Sequence, residues 1–217
     1  MKIKTIICGP IFTNSYVLYD EINRKCIIFD PAEGEPIVDF VKEKKLKIEA
    51  ILLTHGHFDH ISGIPFIIKT FGLIPIYVHK EDFECLFNPE LNGSLDMGED
   101  TEIEIPRKSV FTIGDRLKID NFNFNIHNFP GHTPGSIVIE TSSTLFTGDF
   151  LFKETIGITN ITRGSYIEMR NSLIKFREIY EKSTINYTIL PGHTDSTSLY
   201  HELNNNIFLV RITKNSQ

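Results

Sequence analysis

Three imidazoles and a carboxylate, His55, His57, Asp59 and His60, sit in the seven-residue stretch Thr54-His55-Gly56-His57-Phe58-Asp59-His60, directly after the apolar run Ala50-Ile51-Leu52-Leu53. In extended backbone, residues two apart project to the same side, so His55 and His57 can grip one ion together. Asp59 and His60 come where the chain must turn toward the periodic stretch 61–71, and they aim at a different point. The cluster therefore suits two neighbouring ions better than one. Nitrogen and carboxylate donors without thiolate favour zinc, iron or manganese over an iron–sulfur cluster. A polar surface loop does not need this density of ligands, and the stretch is read as a metal site.

Composition narrows the class. A chain of 217 residues can bury one good core, and with no repeat or linker-like boundary it is read as a single domain over 1–217. No apolar run reaches the length of a membrane span. The N-terminus has basic residues but no hydrophobic region ending in a cleavage site, so a cytoplasmic protein is expected. Cys8, Cys26 and Cys85 are scattered, without metal or redox spacing, and Cys8 and Cys26 read as small core residues. A net charge of −6 disfavours nucleic acid, whose phosphates need a basic face.

Residues 2–7, 15–19 and 25–29 read as three short strands, broken at Gly9-Pro10 and Asn23. Asp30-Pro31 ends the third, and Pro36 opens a helix bearing Ile37, Val38, Phe40 and Val41. The strand 49–53 leads into the histidine cluster, and a helix follows through Phe71, capped by Gly72. Residues 74–78 form another strand, which Pro75 places near a sheet edge. Residues 81–111 are the least regular, with a short helix at 82–87 and an acidic surface loop at 88–104. Strands return at 116–119 and 122–129 around Asp120-Asn121, then at 136–140 and 144–147. Ser165 and Glu168 match a capping box before a helix on which Tyr166, Met169, Leu173, Phe176 and Tyr180 recur at helical spacing. Residues 187–190 are the last strand, 199–205 a final short helix and 213–217 a frayed tail.

Three further strand ends repeat the pattern seen before His55. Each is an apolar strand, then a glycine where the backbone bends or approaches closely, then a ligand: Pro130-Gly131-His132-Thr133-Pro134-Gly135, Gly148-Asp149 and Pro191-Gly192-His193. With these four segments in this order, the sequence resembles the metallo-β-lactamase-fold hydrolases, whose H-x-H-x-D-H, distant His, Asp and last His it reproduces from the Asn14 region to about Asn206. Within them it is most similar to glyoxalase II (hydroxyacylglutathione hydrolase) and its short relatives. The matching pieces are residues 54–63, Asn92-Gly93-Ser94, residues 131–136, Thr147-Gly148-Asp149 with Leu151-Phe152, and Pro191-Gly192-His193.

The resemblance implies an α/β fold, a four-layer αββα sandwich with metals at one edge. It implies one metal on His55, His57 and His132, a second on Asp59, His60 and His193, and Asp149 bridging. Two divalent ions, zinc foremost with iron or manganese as alternatives, would share a bridging hydroxide that attacks a carbonyl. Asp59 and Asp149 would be the catalytic carboxylates, Asp59 also orienting the hydroxide. The expected substrate is a small anionic thioester such as S-lactoylglutathione, or an ester. No nucleic acid or membrane partner is expected, and the protein is expected to be a monomer or small homo-oligomer. A mononuclear iron persulfide dioxygenase, with His55, His132 and Asp149 as ligands, and a lactonase are the alternatives. Two departures bear on the thiol carrier. The chain stops at Gln217, before the basic C-terminal helical region that holds glutathione in full-length relatives. Many relatives read G-R-T/S-D where this chain reads Gly157-Ile158-Thr159-Asn160. Lys153 and Arg163 are candidates to hold a substrate carboxylate, but are read as solvated surface charge. His79 could border the site, whereas His127 and His201 are read as solvent-facing or hydrogen-bonding.

Overall fold

In the computed structural model, which describes residues 1–98 and 104–214, β1 (Lys2–Cys8), β2 (Thr13–Asp20) and β3 (Lys25–Phe29) form an antiparallel meander. To it β4 (Lys47–Leu52), β5 (Ile76–Val78) and β6 (Val110–Thr112) add in parallel, giving a six-stranded sheet in sequence order. Parallel neighbours need crossovers. Helix α1 (Gly34–Glu43) makes the first; α2 (Phe58–Ile61) and α3 (Ile64–Phe71) lie in the second.

The second half repeats the plan. Strands β7 (Arg116–Ile119), β8 (Phe122–Asn128), β9 (Ile137–Glu140) and β10 (Thr144–Gly148) meander antiparallel, and a hairpin of β11 (Leu151–Phe152) and β12 (Thr155–Ile156) follows. Helix α4 (Tyr166–Tyr180) then carries the chain to β13 (Thr188–Pro191), parallel to β10, and β14 (Thr197–Ser198) closes the second six-stranded sheet. Helices α5 (Leu199–Asn205) and α6 (Ile207–Lys214) end the described chain.

Side-chain alternation sorts these elements into layers. On the first sheet, Val17, Cys26, Ile28 and Ile51 pack with Ile37, Val38 and Val41 of α1 and with Ile64 and Ile67 of α3. Their neighbours Leu18, Ile27, Phe29, Ala50 and Leu52 face the other way, against Phe122, Phe124, Ile137, Ile139 and Phe146 of the second sheet. The outer face of that sheet, Val138, Leu145 and Ile189, is covered by Met169, Leu173 and Phe176 of α4 together with Leu203 and Leu209. The result is the αββα sandwich, and the central strands of each sheet are buried on both faces. Phe29 marks its centre, stacked on Phe146 with ring centroids 3.9 Å apart and planes 9° from parallel.

The structure corrects several sequence expectations. Strand β5 lies near the sheet edge as expected, next to edge strand β6, but it is itself paired on both sides, with β4 and β6. Pro75 precedes its ladder and contributes only a carbonyl, which accepts from Ile51 N at 2.9 Å, so the missing N–H costs the sheet nothing. The periodic stretch after the histidines breaks at Ser62-Gly63 into α2 and α3. The helix at 82–87 is a 3-10 segment, Lys80–Leu86. Strand β6, the β11–β12 hairpin and α6 were not legible: the first two are only two or three residues per strand. Asn206 supplied a signal for α6, since its Oδ1 accepts from Phe208 N at 3.1 Å in the manner of a cap. Helix α6 reaches Lys214 where a frayed tail from residue 213 was expected; residues 215–217 lie outside the described chain. Tyr166 is 59% exposed and takes no part in the buried face of α4. Of the loop expected at 88–104, Asn92 and Ser94 are fully buried, while residues 99–103 lie outside the described chain. Among the described residues, no helix is long and apolar enough to cross a membrane.

Because Phe29 is fully buried between the sheets, Phe29→Ala is expected to cost about 3–5 kcal/mol of unfolding free energy through the cavity it leaves. Urea unfolding of the two proteins measures this. A loss below about 1 kcal/mol would mean that the inter-sheet core can collapse around the gap.

Candidate metal centre

Four strand ends meet at one edge of the sandwich. Strand β4 delivers His55, His57, Asp59 and His60; β8 leads to His132, β10 to Asp149 and β13 to His193. Because β10 and β13 are parallel with Gly148 opposite Pro191, Asp149 and His193 emerge side by side. Two positions there tolerate no side chain. Gly148 has φ +48° and faces the Thr54 hydroxyl, while a Cβ on Gly192 would run into the Asp149 carboxylate and the His60 ring. The sheets are sewn together at this edge. Asn14 N donates to Gly192 O at 2.7 Å, Tyr16 OH to Pro191 O at 2.6 Å, and Ile137 N to Thr54 O at 2.9 Å.

All seven sequence-predicted residues converge. His57 Nδ1 lies 3.1 Å from His55 Nε2 and 2.8 Å from His132 Nε2. His60 Nε2 and His193 Nε2 lie 3.2 and 3.3 Å from Asp59 Oδ2. Asp149 spans the two groups: Oδ2 is 3.4 Å from His132 Nε2 and 3.5 Å from His193 Nε2, and Oδ1 is 3.4 Å from His60 Nε2. The ligand atoms of His55, His57 and His132 form one compact set, and those of Asp59, His60 and His193 another.

The residues fit cations. Thr54 Oγ1 donates to Asp30 Oδ2 at 2.7 Å, so at its 3.2 Å contact with His55 Nδ1 it accepts, and His55 Nε2 is left with its lone pair. His132 Nδ1 donates to Ile158 O at 2.8 Å, which likewise leaves Nε2 unprotonated. Two lone pairs therefore face His57 Nδ1, which has at most one proton to offer them. In addition, His57 Nε2 is buried without a hydrogen-bond partner, and both His60 nitrogens and Asp149 Oδ1 meet only one another, Asp30 and Asp59 at 3.1–3.4 Å, outside hydrogen-bond geometry. Buried polar atoms are rarely orphaned without a ligand to satisfy them.

The Metallo-beta-lactamase superfamily pattern matches residues 8–193. This chain belongs to that superfamily. It is 34% identical over 215 residues to the probable metallo-hydrolase YqgX of Bacillus subtilis, covering 96% of this chain and 98% of the relative. It is 31% identical over 212 residues to the hydroxyacylglutathione hydrolase GloC of Haemophilus influenzae, again over 96% and 98%. The crystal structure of the BLEG-1 B3 metallo-beta-lactamase superposes with a TM-score of 0.87 at 34% identity, over 96% of this chain and 99% of that one. The protein is a metal-dependent hydrolase of the metallo-beta-lactamase superfamily, a superfamily that uses divalent metals.

Electrostatics prepare its donors. Burial, reinforced by the neighbouring imidazoles, holds His55 far below the usual histidine range and brings His57 down to about 3. Burial also opposes charge on Asp59 and Asp149, but His60 and its imidazole neighbours outweigh it, leaving both carboxylates ionised, Asp149 at about 2. His60 is buried and His193 half-buried, yet the adjacent carboxylates raise both above the ordinary value. Protons on these two rings stand where cation charge fits.

Two carboxylates that sequence reasoning passed over hold this superfamily site in place. Asp30, at φ +46° after β3, accepts from Thr54 N and Oγ1 at 2.8 and 2.7 Å and lies 3.1 Å from His60 Nδ1. Asp82, fully buried, accepts from Gly56 N, Thr133 Oγ1 and Gly135 N at 3.0, 2.6 and 3.0 Å, tying the His55 loop to the His132 loop. Arg163 completes the clasp, 3.2 Å from Asp82 Oδ1, so the expectation of solvated charge is wrong for Arg163. Lys153 does pair at the surface, 3.2 Å from Asp195. His79 accepts from Glu81 N, and His127 and His201 contact Glu140 and Glu154 at 2.8 Å, so none of the three joins the ligands. The Asp30-Pro31 strand end offered the one readable signal for Asp30; nothing local marked Asp82.

Removing Asp82 strands an arginine and three donors, so Asp82→Ala is expected to cost about 3–5 kcal/mol, with Asp82→Asn milder, as urea denaturation can test. A loss within about 0.5 kcal/mol would refute the clasp. The raised His60 and His193 contribute stability present below about pH 6.5 and lost as pH rises through their folded values. The depressed His55 and His57 make stability fall as pH drops from about 6.5 toward the folded values. Metal-free protein is thus expected to melt highest near pH 6.5, and added divalent metal to remove the alkaline decline. Thermal melts with chelator and with zinc check this; a metal-free melting point still climbing above pH 7 would contradict it.

Proposed function

We propose that the protein hydrolyses acyl thioesters with two divalent metal ions, zinc foremost, held by His55, His57 and His132 and by Asp59, His60 and His193, with Asp149 between them. The observation that carries this reading is the pair of ligand sets bridged by one carboxylate and opening on a cavity that His57, Asp59, His132, Asp149 and His193 all border. The likeness to a hydroxyacylglutathione hydrolase supports the choice of thioester.

Divalent cations supply Lewis acidity for a carbonyl and lower the pKa of water from about 15.7 toward neutrality. The chain's own residues do the rest. Thr13 Oγ1 donates to Asp59 Oδ2 at 2.8 Å and fixes that carboxylate beside the cavity, where it orients the attacking water. The ionised state of Asp59 and the neutral state of His57 are the ones such work requires. Water oxygen bonds to the acyl carbon and its two protons pass to solvent; the C–S bond breaks, the sulfur leaving as thiolate and the acyl group as carboxylate. A thiol of ordinary pKa, about 8.5, departs without a strong general acid.

Elemental analysis of protein purified without added metal, with initial rates on S-lactoylglutathione and an acyl-homoserine lactone, tests the reading. The expected result is two divalent ions per chain and faster thioester hydrolysis. His57→Ala is expected to lower metal content and reduce the rate at least about a hundredfold. One iron per chain with oxygen uptake on glutathione persulfide would replace this reading with a dioxygenase. Preference for the lactone would replace it with a lactonase.

A further inference from the structure

The cavity beside the ligands measures about 340 Å³. Away from the histidines and carboxylates its walls are mostly apolar, Ile11, Phe58, Met97, Phe152, Ile158 and Ile161, with Asn92, Gly93 and Thr162 completing them. Three of these, Ile11, Met97 and Ile158, come from separate segments and remain 37%, 58% and 60% exposed around one opening. Isolated exposed apolar residues are ordinary; several from distant segments gathered at a reactive cavity mark a surface that a ligand covers. Phe12, next to Ile11, adds a ring 75% exposed on backbone at φ +59°, a conformation that bulky residues avoid.

Charge points the same way. Among the described residues, no lysine or arginine lines the cavity. Two cations flank the wall segments in sequence and neither lines the cavity: Arg163 is held by buried Asp82, and Lys153 meets Asp195 at the exposed surface. The described residues that the stretch 88–104 gives the cavity, Asn92, Gly93 and Met97, carry no charge. An anionic thiol carrier would find no lysine or arginine in the described wall to pair with.

We propose that the part of the substrate outside the reacting carbonyl is apolar and uncharged, a neutral acyl thioester whose hydrocarbon chain lies against Ile11, Met97, Phe152 and Ile158. This rests on the thioesterase reading and replaces the anionic substrate expected from sequence. Cations at the ligand sets act on the carbonyl oxygen; they leave the apolar wall to select what is attached to it.

Metal-loaded protein is assayed on N-acetylcysteamine thioesters from acetyl to octanoyl, and on the same acyl groups carried by glutathione. The expected kcat/KM rises about threefold to fourfold per methylene until the cavity is filled. The neutral carrier is expected to exceed glutathione by about tenfold or more at equal acyl length. Ile158→Lys, at an exposed position, is expected to flatten the chain-length dependence and narrow the gap between carriers. Calorimetry with the S-octyl thioethers of N-acetylcysteamine and glutathione, which cannot be hydrolysed, reads the same preference without turnover. A flat chain-length series or tighter binding of the glutathione thioether overturns the proposal and leaves the thioesterase reading intact. Chain-length-dependent thioether binding without any thioester hydrolysis overturns the thioesterase reading and upholds the apolar selectivity.

Discussion

Desolvation of charge dominates this structure. Seven ligand side chains are gathered where two sheets meet, most of them withdrawn from water, with lone pairs and carboxylates aimed at one another. Removed from solvent, such groups repel or lie unsatisfied unless protons or cations stand between them. The fold surrounds them with counterparts: Thr13 on Asp59, Thr54 and Asp30 behind His55 and His60, and the Ile158 carbonyl behind His132. Each fixes a ring or a carboxylate in one orientation, which is how outer contacts govern the affinity of a metal site.

The sandwich serves that arrangement. Burial of the central strands on both faces makes each sheet stiff, and parallel pairing brings the ends of β4, β10 and β13 to one edge. The loops beyond those ends are joined less by their own backbone than by Asp82, which accepts from the His55 loop, the His132 loop and Arg163 at once. A buried carboxylate with four donors specifies a single arrangement of the segments it joins, since a partial match leaves charge unpaired. The apolar cavity wall is drawn from the β1–β2 turn, the loop near Met97 and the segments around Phe152 and Ile158. The rigid edge thus carries the ligands, while irregular segments supply the surface that meets the substrate.

Much of this was legible from the residues. The ligand set could be read because each of its four segments follows an apolar strand and carries a glycine, and strand and glycine signals are local. The meanders, the capped helix after Ser165 and helix α5 were readable for the same reason, as their periodicity lies within a few residues. Short elements were not: Val110–Thr112 and the β11–β12 hairpin are too brief for any period to emerge. Pro75 is compatible with a strand paired on both sides because its place outside the β5 ladder decides whether the missing N–H matters. Arg163 misled because its partner lies 81 positions away.

The sequence by itself determined which side chains hold metal-binding donors and that they belong to strand ends of an α/β chain, because donor type, glycine and alternation are written residue by residue. Tertiary structure alone decided that His132, Asp149 and His193 reach the histidines of β4, that Asp82 locks two loops together, and that Ile11, Met97 and Ile158 share one opening. The reason is separation along the chain. These contacts join residues tens to well over a hundred positions apart, and only the pairing of strands and the packing of two sheets bring them within bonding distance.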